Sequence, residues 1–179
     1  MKLSDMESRD LKGDQPETLE NEPDNDILKV LEYEGITLKM LVDAAMELYV
    51  PHPGVETREK AVEMFIRELK IAISDPNLSL LIYSGILLER QGITGNLPGI
   101  SKESFEKDLT FIVADEVIGM SISKYISGDK GMFEFVRFDK AKPGILAQMG
   151  PFMDDVIAGL IGGVSANMYT RAMAEIDIQ

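Results

Sequence analysis

The chain of 179 residues has no cysteine, no tryptophan and a single histidine. The absence of cysteine excludes disulfides, thiolate zinc sites and cysteine nucleophiles. The single histidine, His52, lies between two prolines and is interpreted as a turn residue. A multi-histidine metal site is therefore not expected. A metal bound by this chain would need oxygen ligands, which favours magnesium or manganese over zinc.

Positive charge is scarce, because 18 Lys and Arg residues stand against 31 Asp and Glu residues and give a formal net charge of −13. A field of this sign repels nucleic acid and anionic lipid surfaces. A nucleic-acid partner is therefore not expected. The N-terminus also lacks the charged-then-apolar pattern of a secretory signal, so we expect a cytoplasmic protein.

Long apolar runs are lacking as well. The run at 156–170 has about fifteen residues, whereas a helix needs ~20 to cross a bilayer. Within this run, Gly159 and Gly163 form a GxxxG pattern, which is typical of membrane-helix dimers and of closely packed helical bundles. Close packing inside a bundle is the prediction, and no membrane span is expected.

The acidic residues are concentrated at the N-terminus, where 1–26 contains few large apolar side chains. Such a segment cannot bury enough surface to offset the entropy lost on ordering, so 1–26 is predicted to be a flexible acidic tail. The remaining segment, 27–179, is long enough for one domain with its own core.

The segment 27–179 has the pattern of successive helices. Thr37 and Thr57 are predicted N-caps, and the prolines at 51 and 76 mark helix ends. Further helices are expected over 79–89, 101–127, 132–138 and 151–174, whereas alternating strand patterns are scarce. The sequence predicts an all-α fold, a single multihelical domain of about five to six helices.

Two adjacent carboxylates, Asp115 and Glu116, interrupt the apolar run 111–120. Burial of an unpaired carboxylate costs several kcal/mol, so each would need a cationic partner. Gly119 lies one helical turn after Asp115 and leaves room there for a metal, a water or another backbone. Acids that meet Lys or Arg at a helix surface are the alternative; the apolar neighbours favour a site.

A second acidic pair, Asp154 and Asp155, follows Pro151. Proline suits the first position of a helix, which places both aspartates in or near the first turn. The helix dipole favours acids there by roughly 0.3–1 kcal/mol each, which would explain the pair without any function. The presence of another acidic helix in the chain favours a functional role.

A segment of alternating charge lies between the two acidic pairs. Arg137 can bind a phosphate bidentately, Lys142 can place a point charge on it, and Asp139 can complete a set of oxygen ligands. An exposed charged loop is the alternative for this segment. Together the three segments suit metal-assisted hydrolysis of a phosphate ester, either by direct attack of water or through an aspartate nucleophile.

The order of the three segments resembles the motifs of phosphatidylglycerophosphatase A. That family has an Asp-Glu-x-x-Gly motif, an Arg-x-x-Asp-x-x-Lys-Pro-like segment and an apolar-Asp-Asp-x-x-Ala-Gly motif. In this chain Arg137 precedes Asp139 by two positions. The resemblance covers about the C-terminal 70 residues and is carried by Asp115-Glu116-Val117-Ile118-Gly119, Phe135-Val136-Arg137-Phe138-Asp139-Lys140-Ala141-Lys142-Pro143 and Met153-Asp154-Asp155-Val156-Ile157-Ala158-Gly159.

The resemblance implies a phosphatase on an all-helical domain that uses Mg²⁺, with Mn²⁺ as a substitute. It implies that one group of residues is catalytic and binds the metal: Asp115, Glu116, Asp139, Asp154 and Asp155. It further implies that Arg137, Lys140 and Lys142 bind the substrate phosphate.

The N-terminal half departs from the membrane-bound enzymes, whose glycine- and proline-rich opening and membrane-length apolar segments are missing here. The stretches 49–60 and 133–139 instead resemble the soluble archaeal branch, the alternative alpha-ribazole-5'-phosphate phosphatases of cobalamin nucleotide-loop assembly. That branch implies a small phosphomonoester substrate, alpha-ribazole-5'-phosphate or adenosylcobalamin 5'-phosphate. A phosphatidylglycerophosphatase and a non-catalytic metal-binding helical module are the alternatives, and a homo-oligomer is left open.

Overall fold

The computed structural model describes residues 26–108 and 112–177. These ranges contain no β-strand, and His52 and Val55 form one isolated β-bridge. The all-α prediction is confirmed, but the expected five to six helices were too few. The described helices are α1 (Ile27–Tyr33), α2 (Leu38–Glu47), α3 (Arg58–Ile73), α4 (Pro76–Thr94), α5 (Lys102–Glu106), α6 (Ala114–Ser127), α7 (Asp129–Ala141), the 3-10 turn Gly144–Gln148 and α8 (Pro151–Asp177).

Side-chain caps begin several of these helices. Thr37 and Thr57, the two predicted N-caps, accept hydrogen bonds from the third residue of α2 and of α3, each at 3.3 Å. Asp26 accepts from the backbone N–H of Leu28 and caps α1, so this last residue of the predicted tail belongs to the folded part. The rest of the predicted tail, 1–25, lies outside the described residues.

The predicted continuous helix over 101–127 was wrong. Ser101 caps α5 as expected, but α5 ends at Glu106, and Asp108 has a φ of 46°. This left-handed conformation does not occur inside an α-helix. The short α5 is held by Phe105, whose ring stacks on Phe152 at a centroid distance of 6.3 Å. This aromatic contact fixes α5 against the start of α8 as a separate element.

Helix α8 forms the centre of the fold. Residues 152–166 of this helix are all buried, and α6 and α7 pack along it while α2, α3 and α4 cover its other sides. A helix that is apolar on all sides is stable only when other helices surround it. The predicted close packing of the GxxxG pattern is confirmed, because Gly159 meets α6 at Gly119 and Gly163 meets the side chain of Ile126.

No single helix among the described residues combines the length and the apolar composition that a bilayer crossing requires. Helices α3 and α4 meet both criteria only when they are taken together, and their axes are bent by 91° at the junction.

Helices α6 and α8 touch backbone to backbone at two glycines. A Cβ atom on Gly159 would lie 2.3 Å from the carbonyl oxygen of Gly119, and a Cβ on Gly119 would lie 2.6 Å from the carbonyl oxygen of Asp155. Asp115 and Asp155 each precede one of these glycines by four residues, which is about one helical turn. The close crossing therefore brings the two acidic helix starts together.

We predict that Gly159→Ala separates α6 from α8. The added methyl group meets backbone, which cannot rotate away, so the free energy of unfolding should fall by about 1–3 kcal/mol. Any metal-dependent increase in melting temperature should fall with it, because the acidic pairs move apart. Gly131→Ala is the matched control, since its Cβ would lie 2.2 Å from the Ser123 carbonyl oxygen at the α6–α7 contact. A similar loss of the metal response in this control would contradict the prediction.

Candidate metal centre

Three carboxylates from two helices meet at the start of α6 and α8. Asp115, Glu116 and Asp155 each place one oxygen so that all three oxygens lie within 4.8 Å of one another. Asp115 is only 2% exposed and Asp155 only 4%, while Glu116 is half-buried. The structure thus joins residues from the first and third sequence motifs.

Two oxygens of this cluster have no hydrogen-bond partner among the described residues, although both are buried: Oε2 of Glu116 and Oδ1 of Asp155. Buried polar atoms are nearly always paired, so such orphaned oxygens call for a ligand or a bound cation. An all-oxygen set of acids is the donor set that magnesium prefers. The residues present therefore fit the metal that the sequence motifs imply.

Local hydrogen bonds orient the acids at the two helix starts. Oδ1 of Asp115 accepts from the backbone N–H of Glu116 at 2.9 Å, and Oδ1 of Asp154 accepts from that of Asp155 at 2.8 Å. In each pair the first acid is thus tied to the backbone N–H of the second. For Asp155 no such bond uses Oδ1, which is left to face the cluster.

The pKa values of two carboxyls in the cluster are raised. Burial, together with the neighbouring Glu116 carboxyl, raises the pKa of Asp115 to about 7. Burial and the negative charges of Asp154, Asp139 and Asp115 raise the pKa of Asp155 to about 8. In the absence of a cation these carboxyls keep protons near neutral pH, and a cation bound by them would displace those protons.

Lys142 supplies a positive charge beside the acids of the cluster. Its Nζ contacts Oδ2 of Asp154 and lies 3.4 Å from Oδ1 of Asp139. Burial acts to lower the pKa of Lys142, but the hydrogen bond and charge of Asp154 outweigh it and the pKa is raised. The backbone of Lys142 is left-handed, with a φ of 43°, and turns the chain out of α7 into Pro143. Lys142 therefore stays charged beside Asp154, although burial still raises the pKa of that carboxyl above its usual value.

The other predicted phosphate-binding residues lie differently. Arg137 donates to the carbonyl oxygen of Leu48 at 2.9 Å and pairs with Glu134 at 2.6 Å. Arg137 and Asp139 are two residues apart on a helix, so their side chains point about 200° apart. Asp139 therefore faces Lys142, whereas Arg137 faces Leu48 and Glu134. Lys140 is exposed. The structure brings Asp139 and Lys142 to the acids, and the phosphate roles of Arg137 and Lys140 stay predictions.

Glu89 of α4 was missed by the sequence analysis. Its Oε2 accepts from the backbone N–H groups of Phe152 and Met153 at 3.0 and 3.3 Å, at the first turn of α8. Burial raises the pKa of Glu89, although these two hydrogen bonds act to lower it. In the sequence of α4, Glu89 cannot be distinguished from an ordinary acid of an amphipathic helix. Its role becomes visible only in its contact with α8.

A cavity of about 560 Å³ lies at the other end of α8. Its lining includes His52, Phe133 and Tyr169, and the His52 ring packs edge-on against Tyr169 with centroids 5.5 Å apart. Tyr169 follows Asp155 by fourteen residues, so about 21 Å of helix separate the cavity from the acids. The cavity is therefore distinct from the carboxylate cluster.

An all-α fold with an oxygen-rich acidic centre at the start of its central helix defines a class of helical proteins with a candidate metal site. The sequence model of the phosphatidylglycerophosphatase A family matches residues 44–170. The chain belongs to this family, which confirms the resemblance drawn from the three motifs. Family membership supports a phosphatase-type function in general.

The chain is also similar to individual known proteins. An uncharacterized protein of Methanocaldococcus jannaschii is 35% identical over 132 residues, which cover 72% of this chain and 99% of that protein. Among solved structures, a protein of unknown function from Bacillus stearothermophilus matches with a TM-score of 0.67 at 24% identity, over 81% of this chain and 96% of that one. The low temperature requirement C protein from Listeria monocytogenes matches with a TM-score of 0.69 at 19% identity, over 86% and 96%. These two structures share the fold.

The raised pKa values predict how stability depends on pH. An aspartate whose pKa is higher in the folded than in the unfolded state favours folding at low pH, and this contribution is lost as the pH rises through the folded pKa. In EDTA, the melting temperature should therefore fall between about pH 4 and pH 8, the range bounded by the unfolded value of ~3.9 and the raised values of about 7 and about 8. Magnesium should restore it, with a larger effect at pH 8 than at pH 5.5.

Asp155→Asn is the matched variant for this measurement. It removes one buried negative charge at nearly constant volume, so in EDTA at pH 8 it should melt higher than the wild type. Its melting temperature should also depend less on pH and on magnesium. A wild-type melting temperature in EDTA that rises from pH 5.5 to 8.5 would contradict the burial of these acids.

Lys142→Asn tests the pairing of Asp154. Asparagine tolerates the left-handed backbone, so the variant removes the charge without adding backbone strain. Asp154 would lose its cationic partner while buried, and the free energy of unfolding should fall by about 1–2 kcal/mol at pH 8, because the partly exposed ammonium is screened by solvent. Lys140→Asn, near the same end of α7 but exposed, should be neutral within about 0.5 kcal/mol. Urea unfolding measures both; equal effects would contradict the prediction.

Proposed function

We propose that the protein is a magnesium-dependent phosphatase of alpha-ribazole-5'-phosphate, or of adenosylcobalamin 5'-phosphate, that acts in the cytoplasm during assembly of the cobalamin nucleotide loop. The observation that carries the catalytic part is the pair of buried, unpartnered carboxylate oxygens between α6 and α8. The substrate is inferred from the resemblance of 49–60 and 133–139 to the soluble archaeal branch.

The placement of the residues supports the roles proposed for them. Asp115, Glu116 and Asp155 would hold the cation, and Asp139 is near enough for its charge to act on Asp155. A magnesium ion held there would polarise the phosphoryl oxygens and lower the pKa of a bound water. Lys142 keeps a positive charge beside these acids and so offsets their repulsion of a phosphate. Asp154 holds Lys142 in place.

The two stretches that carry the soluble-branch resemblance lie side by side in the fold. Arg137 of the second stretch donates to the carbonyl oxygen of Leu48, the residue directly before the first stretch, at 2.9 Å. His52 from the first stretch and Phe133 from the second line the same cavity. The net charge of −13 also disfavours work at an anionic lipid surface.

The proposal predicts phosphate release from alpha-ribazole-5'-phosphate that requires magnesium and stops in EDTA. Asp115→Asn should lower kcat/KM by more than about 100-fold, since changes that only orient a metal ligand already cost 10–100-fold. Glu103→Gln, which neutralises an exposed acid on α5, is the matched control and should keep wild-type activity. Released phosphate is measured for all three proteins with magnesium and with EDTA.

The same assay separates the alternatives. Release from phosphatidylglycerophosphate in mixed micelles, with none from alpha-ribazole-5'-phosphate, would assign the lipid substrate and overturn the soluble one. A magnesium-dependent rise in melting temperature without hydrolysis of either compound would instead indicate a non-catalytic metal-binding module.

A further inference from the structure

We propose that Glu89 is a positioning residue of the carboxylate centre: from α4 it fixes the first turn of α8, on which Asp154 and Asp155 stand. This inference rests on the proposed metal-dependent function, because it concerns the geometry of the same centre. It adds a fourth helix, α4, to the elements that build the site. No sequence motif includes Glu89.

The start of α8 depends on Glu89 because its own sequence supplies no capping side chain. The residue before Pro151 is Gly150, whose carbonyl oxygen accepts from the N–H groups of Met153 and Asp154 at 3.1 and 3.0 Å. The first N–H groups of a helix lack the carbonyl partner one turn earlier that later residues have. Oε2 of Glu89 accepts from the N–H of Phe152, and it shares the N–H of Met153 with the Gly150 carbonyl oxygen. The cap of α8 is thus provided by another helix.

The Glu89 carboxylate packs directly against Gly150. A Cβ atom there would lie 1.8 Å from Oε1 of Glu89, and the three nearest atoms to that Cβ all belong to Glu89. A side chain at position 150 would therefore meet the Glu89 carboxylate first and displace it. A substitution at Gly150 therefore tests the position of the Glu89 carboxylate without changing Glu89 itself.

The turn fixed by Glu89 sets the position of the acids. Asp154 and Asp155 directly follow Met153, and the Asp155 oxygen has to lie within 4.8 Å of oxygens on Asp115 and Glu116 of α6. A small rotation or fraying of this turn would move Asp155 relative to α6. Of the two aspartates at this turn, Lys142 contacts only Asp154. A carboxylate cap is also favoured by the helix dipole, although its charge lies near Asp154. Glu89 therefore acts as a hydrogen-bond acceptor that keeps the first turn of α8, and with it Asp155, in position.

The experiment measures the Mg²⁺ and Mn²⁺ dependence of the melting temperature for Glu89→Ala, Glu89→Gln, Gly150→Ala and the double variant Gly150→Ala with Glu89→Ala. Glu89→Ala should weaken the apparent metal affinity by about 10-fold or more, as expected when an orienting residue is lost. Glu89→Gln keeps an acceptor oxygen and should stay near wild type. Gly150→Ala should resemble Glu89→Ala, and the double variant should be no worse than Glu89→Ala alone.

Thr57→Ala is the matched control, because it removes the cap of α3 at a distance in sequence from every acid of the site. It should lower the melting temperature and leave the metal affinity unchanged. If Glu89→Ala lowers stability in the same way but binds metal as tightly as the wild type, Glu89 is a helix cap only and the inference is overturned. Should Glu89→Ala not fold, the contrast between Glu89→Gln and Gly150→Ala decides in its place.

The failure of this inference differs from the failure of the proposed function. Metal affinity that depends on Glu89, with no phosphate released by the wild type, would support the inference and overturn the catalytic proposal. Phosphate release with unchanged metal affinity in Glu89→Ala and Gly150→Ala would overturn the inference alone. A wild type whose melting temperature does not respond to metal would overturn the inference, while magnesium-dependent phosphate release would still decide the catalytic proposal.

Discussion

The contact of Gly119 with Gly159 is the constraint on which the acidic centre depends. Two helices that carry side chains at the crossing point stay 8–10 Å apart, and the absent Cβ atoms allow the backbones of α6 and α8 to touch. The acids one turn earlier on each helix are thereby brought within reach of one ion. The glycines of the first and third motifs thus explain why the acids of those motifs meet.

The close approach of α6 and α8 brings several carboxylates together, and only some of them have a cationic partner. Burial and the negative charges of Asp154, Asp139 and Asp115 raise the pKa of Asp155. Lys142 lies beside Asp154, and α8 contributes its N-terminal dipole, but Asp115 and Asp155 gain no fixed cation from the described residues. A structure optimised for stability alone would place neutral residues there. The retained charge is what a cation site requires.

The sequence predicted the all-α class, the caps at Thr37 and Thr57 and the acids of the centre, because these depend on local patterns. It did not predict the break after α5, since the left-handed Asp108 and the stacking of Phe105 on Phe152 depend on the start of α8. Helix α1 was also missed, because a seven-residue helix has too few turns for a clear periodicity. Glu89 was not predicted for the same reason as the break: its partners are the backbone N–H groups of a helix more than sixty residues away.

The adjacent aspartates of the third motif show how much such tertiary contacts change the interpretation. The motif does not distinguish Asp154 from Asp155. In the structure Asp154 contacts Lys142 and accepts from the backbone N–H of Asp155, whereas Oδ1 of Asp155 is buried and has no partner among the described residues. When two titratable groups of one kind lie in different environments, they take different roles. The two aspartates therefore differ in their contacts: Asp154 lies against Lys142, whereas Asp155 keeps an unpartnered oxygen close to Asp115 and Glu116. Two identical side chains in sequence thus have different surroundings, which depend on the neighbouring helices α6 and α7 and not on the local sequence.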